Sequence, residues 1–309
     1  MEKIICIVVT YNRKELLQEC LDALLSQSRL PDKILVFNNC STDGTEELFA
    51  SGAKYDTDRI ELTESSANLG GAGGFSAGMK LACDQDFDWI WIMDDDSIPE
   101  PEALSQLENA ASFLKERNEK IGFLASFVYG PQGEPMNVPR IQDASAPNGY
   151  PFWYRYLGQG LVSIKEATFV SLLISKHAVE AVGYPIAEYF IWGDDAEYTR
   201  RIVEEYAPAY FCGASRVLHK RQNAARITIK EEHEKSRAAM YRYYYRNALL
   251  NAAKYDGKAK TIVRWFYYFS LSLQCLLNPK GSFRVQKFAA VQRGIWSFLF
   301  GPLRRKINE

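Results

Sequence analysis

The stretch Trp89-Ile90-Trp91-Ile92-Met93-Asp94-Asp95-Asp96 constrains this 309-residue chain more than any other. Five apolar residues run without a polar break into three consecutive carboxylates. An unbroken apolar run of that length reads as a strand covered on both faces, as in the mostly parallel sheet of an α/β domain. Such sheets bind ligands beyond the carboxyl ends of their strands, which is where Asp94, Asp95 and Asp96 fall. Three adjacent like charges repel, so water, a cation or hydrogen-bond donors must offset them. Two readings are open: a solvated acidic turn before a helix beginning near Pro99 and Pro101, or an oxygen-rich site for Mg²⁺ or Mn²⁺ carried with substrate phosphates. The exit from an aromatic strand favours the second.

Elsewhere the chain alternates strand and helix. Residues 4–9 (Ile-Ile-Cys-Ile-Val-Val) form a second buried strand ending at Thr10-Tyr11-Asn12-Arg13. Leu16, Leu17, Cys20, Leu21, Leu24 and Leu25 then share one helical stripe across 14–28. Residues 34–37 are the next strand, which runs into Asn38-Asn39-Cys40-Ser41-Thr42-Asp43-Gly44-Thr45, a polar loop with a cap-like start for a following helix. This alternation argues a parallel sheet with right-handed crossovers.

Asn68-Leu69-Gly70-Gly71-Ala72-Gly73-Gly74-Phe75 predicts a glycine loop leading into a helix that ends near Asp84. Glycine allows close backbone approach to a ligand, and free N–H groups at a helix start favour an anion; the alternative is a flexible connector. The segment follows no strand and lacks Gly-Lys-Ser/Thr, which excludes a dinucleotide fingerprint and a phosphate-binding P-loop. A helix over 100–120, a strand over 121–129 and a loop over 130–150 follow. Phe152-Trp153-Tyr154 is either a hydrophobic plug or a stacking face for a sugar. A strand over 167–174 and a helix over 176–182 precede a second acidic constellation.

That constellation is Tyr189-Phe190-Ile191-Trp192-Gly193-Asp194-Asp195-Ala196-Glu197-Tyr198. Asp194 and Asp195 open a helix reaching Glu205, whose N-terminus favours their charge. One of the two serves as a cap, and the other is left for acid–base work. His219, one of three histidines, follows an apolar segment.

Composition narrows the partners. A net charge of −1 gives no whole-chain field for nucleic acid. Six scattered cysteines without Cys-x-x-Cys spacing suit reduced thiols in a cytosolic protein. The apolar run at 4–9 is too short for a signal-peptide core, and no run of about 18 apolar residues predicts a spanning helix. From Ile229 onward the character changes. Aromatics (Trp265, Phe266, Tyr267, Tyr268, Phe269, Trp296, Phe298, Phe300) mix with cations (Arg264, Lys280, Arg284, Lys287, Arg293, Arg304, Arg305, Lys306). Such segments lie in a membrane interface rich in anionic lipid; a helical subdomain packing its aromatics on the core or on a second subunit is the other reading. The expected organisation is a catalytic domain over 1–228 and a basic, aromatic helical region over 229–309.

Together, Thr10-Tyr11-Asn12-Arg13, the 38–45 loop, the Asp94–Asp96 triplet and the Asp194-Asp195 pair resemble family 2 glycosyltransferases of the GT-A fold. The glycine segment and Trp192–Tyr198 are similar to galactofuranosyltransferases of cell-wall and surface-polysaccharide synthesis. The resemblance implies a metal site (Mn²⁺ or Mg²⁺) at Asp94, Asp96 and His219, with Asp195 as general base beside Asp194. It implies nucleotide-sugar contacts from Thr10, Asn12, Arg13, Asn38, Asn68, Gly70, Gly71, Gly74 and Asp95. Trp153 and Trp192 are the candidate acceptor contacts. The implied donor is UDP-galactofuranose and the acceptor a glycan or lipid-linked glycan, with a cytoplasmic enzyme held on the inner face of the plasma membrane and a homo-oligomer open. Asn38 departs from the Asp that many family members carry for uracil, which keeps a dTDP-rhamnose donor open. A nucleotidyltransferase and a non-catalytic glycan-binding module are the readings from other classes. The first lacks a glycine-rich basic loop after the opening strand, and the second has no need of triplet, base and histidine together.

Overall fold

The structure is a computed structural model that describes residues 2–221 and 228–304. Arg305 and Lys306 of the basic tail lie outside the described residues. Two units emerge: residues 1–187 with 195–224, and residues 188–194 with 225–309. Segment 188–194, expected in the first unit, groups with the second because asparagines of that unit hold its backbone. Asn247 Nδ2 donates to the carbonyls of Tyr189 (2.9 Å) and Trp192 (2.8 Å), and Asn251 Nδ2 donates to that of Gly193 (2.8 Å).

The first unit carries β1 (Ile4–Thr10), α1 (Lys14–Leu25), β2 (Lys33–Asn38), β3 (Ile60–Glu64), α2 (Gly70–Cys83), β4 (Trp89–Asp94), β5 (Ser97–Pro99) and α3 (Ala103–Lys115). There follow β6 (Phe123–Tyr129), β7 (Arg140–Ile141), β8 (Leu161–Glu166), β9 (Leu172–Ser175), α4 (Lys176–Val182), α5 (Asp194–Glu205) and β10 (Ala209–His219). The sheet order is β3-β2-β1-β4-β9-β6-β10-β8-β7, with β5 pairing β10. Strands β3, β2, β1 and β4 run parallel, as do β6 and β10, while β9 enters antiparallel between β4 and β6. The sheet is therefore mixed, with its parallel half first in the chain.

Alternation explains the unbroken apolar runs. Ile4, Cys6 and Val8 join Leu17, Leu21, Leu24, Trp91 and Met93 in one core layer. Ile5, Ile7 and Val9 join Phe75, Met79, Ile90 and Ile92 in the other. Successive strand side chains point to opposite faces, and here both faces are covered, so every position is apolar.

Three local expectations are corrected. The segment after Gly44 is a short 3-10 turn (Thr45–Phe49), not an α-helix, and Gly52 at φ 78 belongs to the irregular chain that follows. Of the expected strand over 167–174 only 172–174 is strand, the start of β9, and 167–171 is irregular, because the Ala167 N–H and carbonyl bind the Thr199 hydroxyl instead of a strand neighbour. Strand β5 occupies residues expected to open a helix.

The second unit holds α6 (Lys235–Asn251), a π-helical turn (Ala252–Asp256), α7 (Lys258–Leu277) and α8 (Arg284–Phe300). Helix α8 lies close on α6 at Gly294, where a Cβ would sit 2.7 Å from the Arg242 carbonyl oxygen. Along α7, Ile262, Val263, Phe266, Tyr267, Leu273 and Leu277 stay exposed. Among the described residues, no helix is long and apolar enough to cross a membrane.

Candidate active site

Strand β1 is where the order switches: β2 and β3 lie to one side, and the later β4 to the other. A crevice opens beyond strand ends at such a switch. Register aligns those ends, with Thr10 opposite Asn38 and Val9 opposite Asp94. Asp95 and Asp96 form the turn between β4 and β5, and both are buried.

The donors that offset these carboxylates come from three elements. Thr10 Oγ1 donates to Asp95 Oδ2 at 2.8 Å. Arg13, just ahead of α1, reaches Asp95 Oδ1 at 3.1 Å and Asp96 Oδ2 at 2.8 Å, with about half its side chain (49%) still exposed. The antiparallel register of β5 and β10 pairs His219 with Ser97, which brings His219 Nε2 to 3.1 Å from Asp96 Oδ1. Burial, together with the neighbouring Asp96 charge, pushes the Asp95 carboxyl up to about 6 against the pull of Arg13 and Thr10. Burial also opposes ionisation of Asp96, but the His219 hydrogen bond and the Arg13 charge outweigh it and hold that carboxyl below its ordinary value.

His219 has an acceptor on each side, since its Nδ1 meets Asn137 Oδ1 at 2.9 Å. A neutral imidazole donates from only one nitrogen. Both contacts are satisfied when the ring is doubly protonated, or when a cation replaces the proton between Nε2 and Asp96. An outer hydrogen-bond acceptor of the Asn137 kind is the usual support of a metal-ligating histidine. The 3.1 Å separation also fits neighbouring ligands of an octahedral ion, which at bonds of about 2.1 Å lie roughly 3.0 Å apart. The pair thus fits Mg²⁺ or Mn²⁺. Among the described residues, however, no three His, Cys, Asp or Glu side chains assemble into a metal-binding group. Asp94 does not join Asp96 and His219 in a three-donor set, because the turn at 95–96 breaks the alternation that would align positions 94 and 96 on one face.

The loops beside the triplet are stitched to one another. Asn12, at φ 51, accepts the Thr42 N–H at 2.7 Å and donates its own N–H to Ser41 Oγ at 2.9 Å. Asp43 accepts the Lys14 N–H at 2.9 Å and so binds the first N–H of α1 from across the loop. Asn38 is buried, its amide engaged with Glu64 Oε1 (3.2 Å) and the Ser41 N–H (3.0 Å). A cleft of about 620 Å³ opens beside the cluster, lined by Asn12, Arg13, Glu19, Glu134, Lys220 and Arg221.

The expected glycine loop lies inside the first two turns of α2. Asn68 Oδ1 accepts the Gly70 N–H at 2.8 Å, and Asn39 accepts the Leu69 N–H at 2.8 Å while donating to the Gly70 carbonyl. A Cβ at Gly74 would come within 2.6 Å of Val9 Cγ1, whereas at Gly71 it would meet nothing within 4 Å. Packing against β1 accounts for Gly74, and Gly70 and Gly71 remain at the open end of the helix.

Asp195 is half-buried in the first turn of α5, and its Oδ1 accepts the Ala196 N–H at 2.7 Å. That contact favours the ionised carboxylate, as does the helix N-terminus. An edge-to-face chain, Phe75 to Phe169 (4.8 Å) to Tyr198 (6.0 Å), ties α5 to α2. Trp153 lies in a surface 3-10 turn, edge-on to Tyr154 at 6.0 Å, and belongs to no hydrophobic plug. Trp192, in the second unit at φ 61, packs on Tyr241 (5.1 Å) and Tyr244 (6.5 Å). Asn39 and Asn137 were not singled out from sequence. Asn39 could have been found as the second amide of a strand-end pair, but Asn137 sits in a loop with no local signal.

A mixed sheet with this switch and these acids defines the GT-A class of nucleotide-sugar transferase folds. Among solved structures the chain matches GalNAc-T7 with UDP, GalNAc and Mn²⁺ at a TM-score of 0.61 and 14% identity, over 93% of this chain and 54% of that one. It also matches S. aureus TarS 1-349 in complex with UDP at a TM-score of 0.51 and 14% identity, over 99% and 92%. The family model for glycosyl transferase family 2 matches residues 5–165. Galactofuranosyltransferase GlfT1 of Mycolicibacterium smegmatis is 31% identical over 230 residues, 71% of each chain, and GlfT1 of Mycobacterium tuberculosis is 31% identical over 232 residues, 71% of this chain and 70% of that one. The chain belongs to glycosyl transferase family 2. Abequosyltransferase RfbV of Salmonella typhimurium is 38% identical over 90 residues, 28% of this chain and 27% of that one.

Proposed function

We propose that this glycosyltransferase is inverting and divalent-metal-dependent, and that it moves galactofuranose from UDP-galactofuranose onto a hydroxyl of a surface polysaccharide or lipid-linked glycan. The observation that carries the donor is the 31% identity to galactofuranosyltransferases over 71% of the chain. Asp96 and His219 would hold the ion, with Asp94 at the neighbouring strand end outside that pair. When bound, Mn²⁺ or Mg²⁺ neutralises charge on the departing diphosphate. Arg13, already on Asp95 and Asp96, keeps the acidic turn compact and offers its exposed half to an anion. Asp195 accepts the proton of the acceptor hydroxyl as its oxygen attacks the anomeric carbon, and the carbon–oxygen bond to the diphosphate breaks. One displacement inverts the configuration. No carboxylate nucleophile or paired acid is involved, in contrast to retaining glycoside hydrolysis.

The cytoplasmic face of the plasma membrane is the proposed location, supported by the exposed aromatic face of α7. The test is a donor panel of UDP-galactofuranose, UDP-galactopyranose, UDP-glucose and dTDP-rhamnose with Mn²⁺, reading released nucleotide. UDP-galactofuranose should be turned over about 10- to 200-fold faster than each of the others. Equal or better use of dTDP-rhamnose would overturn the donor assignment and leave the mechanism standing.

A further inference from the structure

The reaction above uses none of the cations on α6 and α8. Arg242, Tyr243 and Arg246 of α6, with Arg293 and Ser297 of α8, line a cavity of about 230 Å³ within the second unit. Tyr243 organises it. Arg242 donates to its hydroxyl at 2.7 Å, and the guanidinium carbons of Arg242 and Arg246 lie 4.6 and 5.2 Å from its ring centroid. Phe190 stacks on the same ring at 4.7 Å. Arg246 is fixed further by the carbonyls of Glu188 (2.6 Å) and Tyr189 (3.1 Å) and by Asn247 Oδ1 (2.9 Å).

This arrangement carries an excess of positive charge, three arginines against the one nearby carboxylate of Glu188. Like charges four residues apart on a helix repel, and Arg293 adds a third cation from the facing helix. Among the described residues, no carboxylate forms an ion pair with any of the three. Burial, with the Arg242 charge beside it, lowers the pKa of Arg246 in spite of the nearby Tyr189 and Tyr243 hydroxyls and the Glu188 carboxylate, the one acid that acts on it at longer range. Guanidinium forks match the oxygens of a phosphoryl group in geometry as well as charge.

We propose that Arg242, Arg246 and Arg293 cradle a phosphoryl group, carried either as the headgroup of a lipid phosphate or as a free diphosphate. One turn along α8 from Arg293 and Ser297, Trp296 and Phe300 stack at 5.3 Å with 56% and 72% of their surfaces exposed. An anion pocket rimmed by exposed aromatics suits a phosphate at the end of an apolar chain. The site needs neither donor nor acceptor sugar, so its test is independent of the transferase reading.

The full chain is floated with phosphatidylcholine vesicles containing phosphatidic acid or phosphatidylserine at matched surface potential. It is also titrated calorimetrically with inorganic pyrophosphate in the absence of divalent metal. A cradle predicts about tenfold preference for phosphatidic acid over phosphatidylserine, or saturable pyrophosphate binding, since one charged hydrogen bond is worth about that factor. The double variant Arg242→Gln/Arg293→Gln, at two exposed positions, should abolish the preference or the pyrophosphate binding. The double variant Lys258→Gln/Lys260→Gln, which removes equal charge from the start of α7, should keep both. Loss of lipid preference on Trp296→Ser with pyrophosphate binding intact assigns the lipid source, and pyrophosphate binding without any lipid preference assigns the free anion. The proposal is overturned if the wild type shows neither response, or if the two double variants lose them equally.

Discussion

Asp95, Asp96, His219 and Asp195 divide the proposed chemistry at the residue scale. Replacing Asp195 by Asn removes the proposed proton acceptor and should lower turnover by about 10²–10⁴-fold while UDP affinity stays within a few-fold; near-native turnover would remove Asp195 from the mechanism. Asn137 matters only through His219, whose Nδ1 it meets at 2.9 Å. Asn137→Ala should therefore weaken the Mn²⁺ dependence of UDP binding by about 10- to 100-fold without loss of fold, measured by calorimetry across a metal series. An unchanged metal dependence would make the histidine structural. Asp95 yields a pH prediction. Its folded-state value of about 6 lies above the ordinary carboxylate value, so the folded chain holds an extra proton between those limits. Its contribution favours folding below that window and is lost as pH rises through about 6. Metal-free Asp95→Asn should melt above the metal-free wild type at pH 7.5, by on the order of 2 kcal/mol. That gap should close as pH falls toward 4.

At the element scale, the contact between α2 and β1 sets how near the start of α2 comes to the ends of β1 and β4. Gly78→Ala places a Cβ within 2.7 Å of Ile7 Cγ2, where the strand cannot yield without disturbing its neighbours. The helix-propensity gain of about 1 kcal/mol from removing a glycine is then outweighed by overpacking of roughly 1–3 kcal/mol. Gly71→Ala meets nothing within 4 Å and keeps the propensity gain. Urea unfolding should show Gly78→Ala less stable than wild type and Gly71→Ala equal or more stable. The opposite order would mean that α2 can move off β1. The pairing of β5 with β10 has a similar role, since it carries His219 from late in the chain to the acidic turn.

At the scale of the whole molecule, the exposed stripe of α7 leaves large apolar side chains in water, with Val263 and Phe266 at 69% and 62% exposure. Burying one such side chain in a membrane interface is worth about 1.5–3 kcal/mol. Val263→Asp/Phe266→Asp should lower partitioning onto anionic vesicles by at least tenfold, and added salt should lower that of the wild type. Flotation indifferent to both would assign the stripe to packing or self-association, which light scattering would reveal as a change in mass.

Much of this was legible in the linear chain. Alternation fully covered on both faces requires apolar residues at every position, so β1, β2 and β4 announced themselves, and their carboxyl ends carried Thr10, Asn38 and Asp94. The helix opened by Asp195 was equally plain from its acidic start. What local pattern could not decide was which distant residues meet. Asn137 is placed on His219 by a loop, Asp43 caps α1 from another loop, and Thr199 ends a strand by binding Ala167 from a helix. Those contacts join residues far apart in sequence, and periodicity carries no record of them. The sequence by itself determined the class of sheet and the acids at its edge; only the tertiary structure, through the register of β5 on β10, decided that Asp96 and not Asp94 faces the histidine, because a turn of two residues overrides strand alternation.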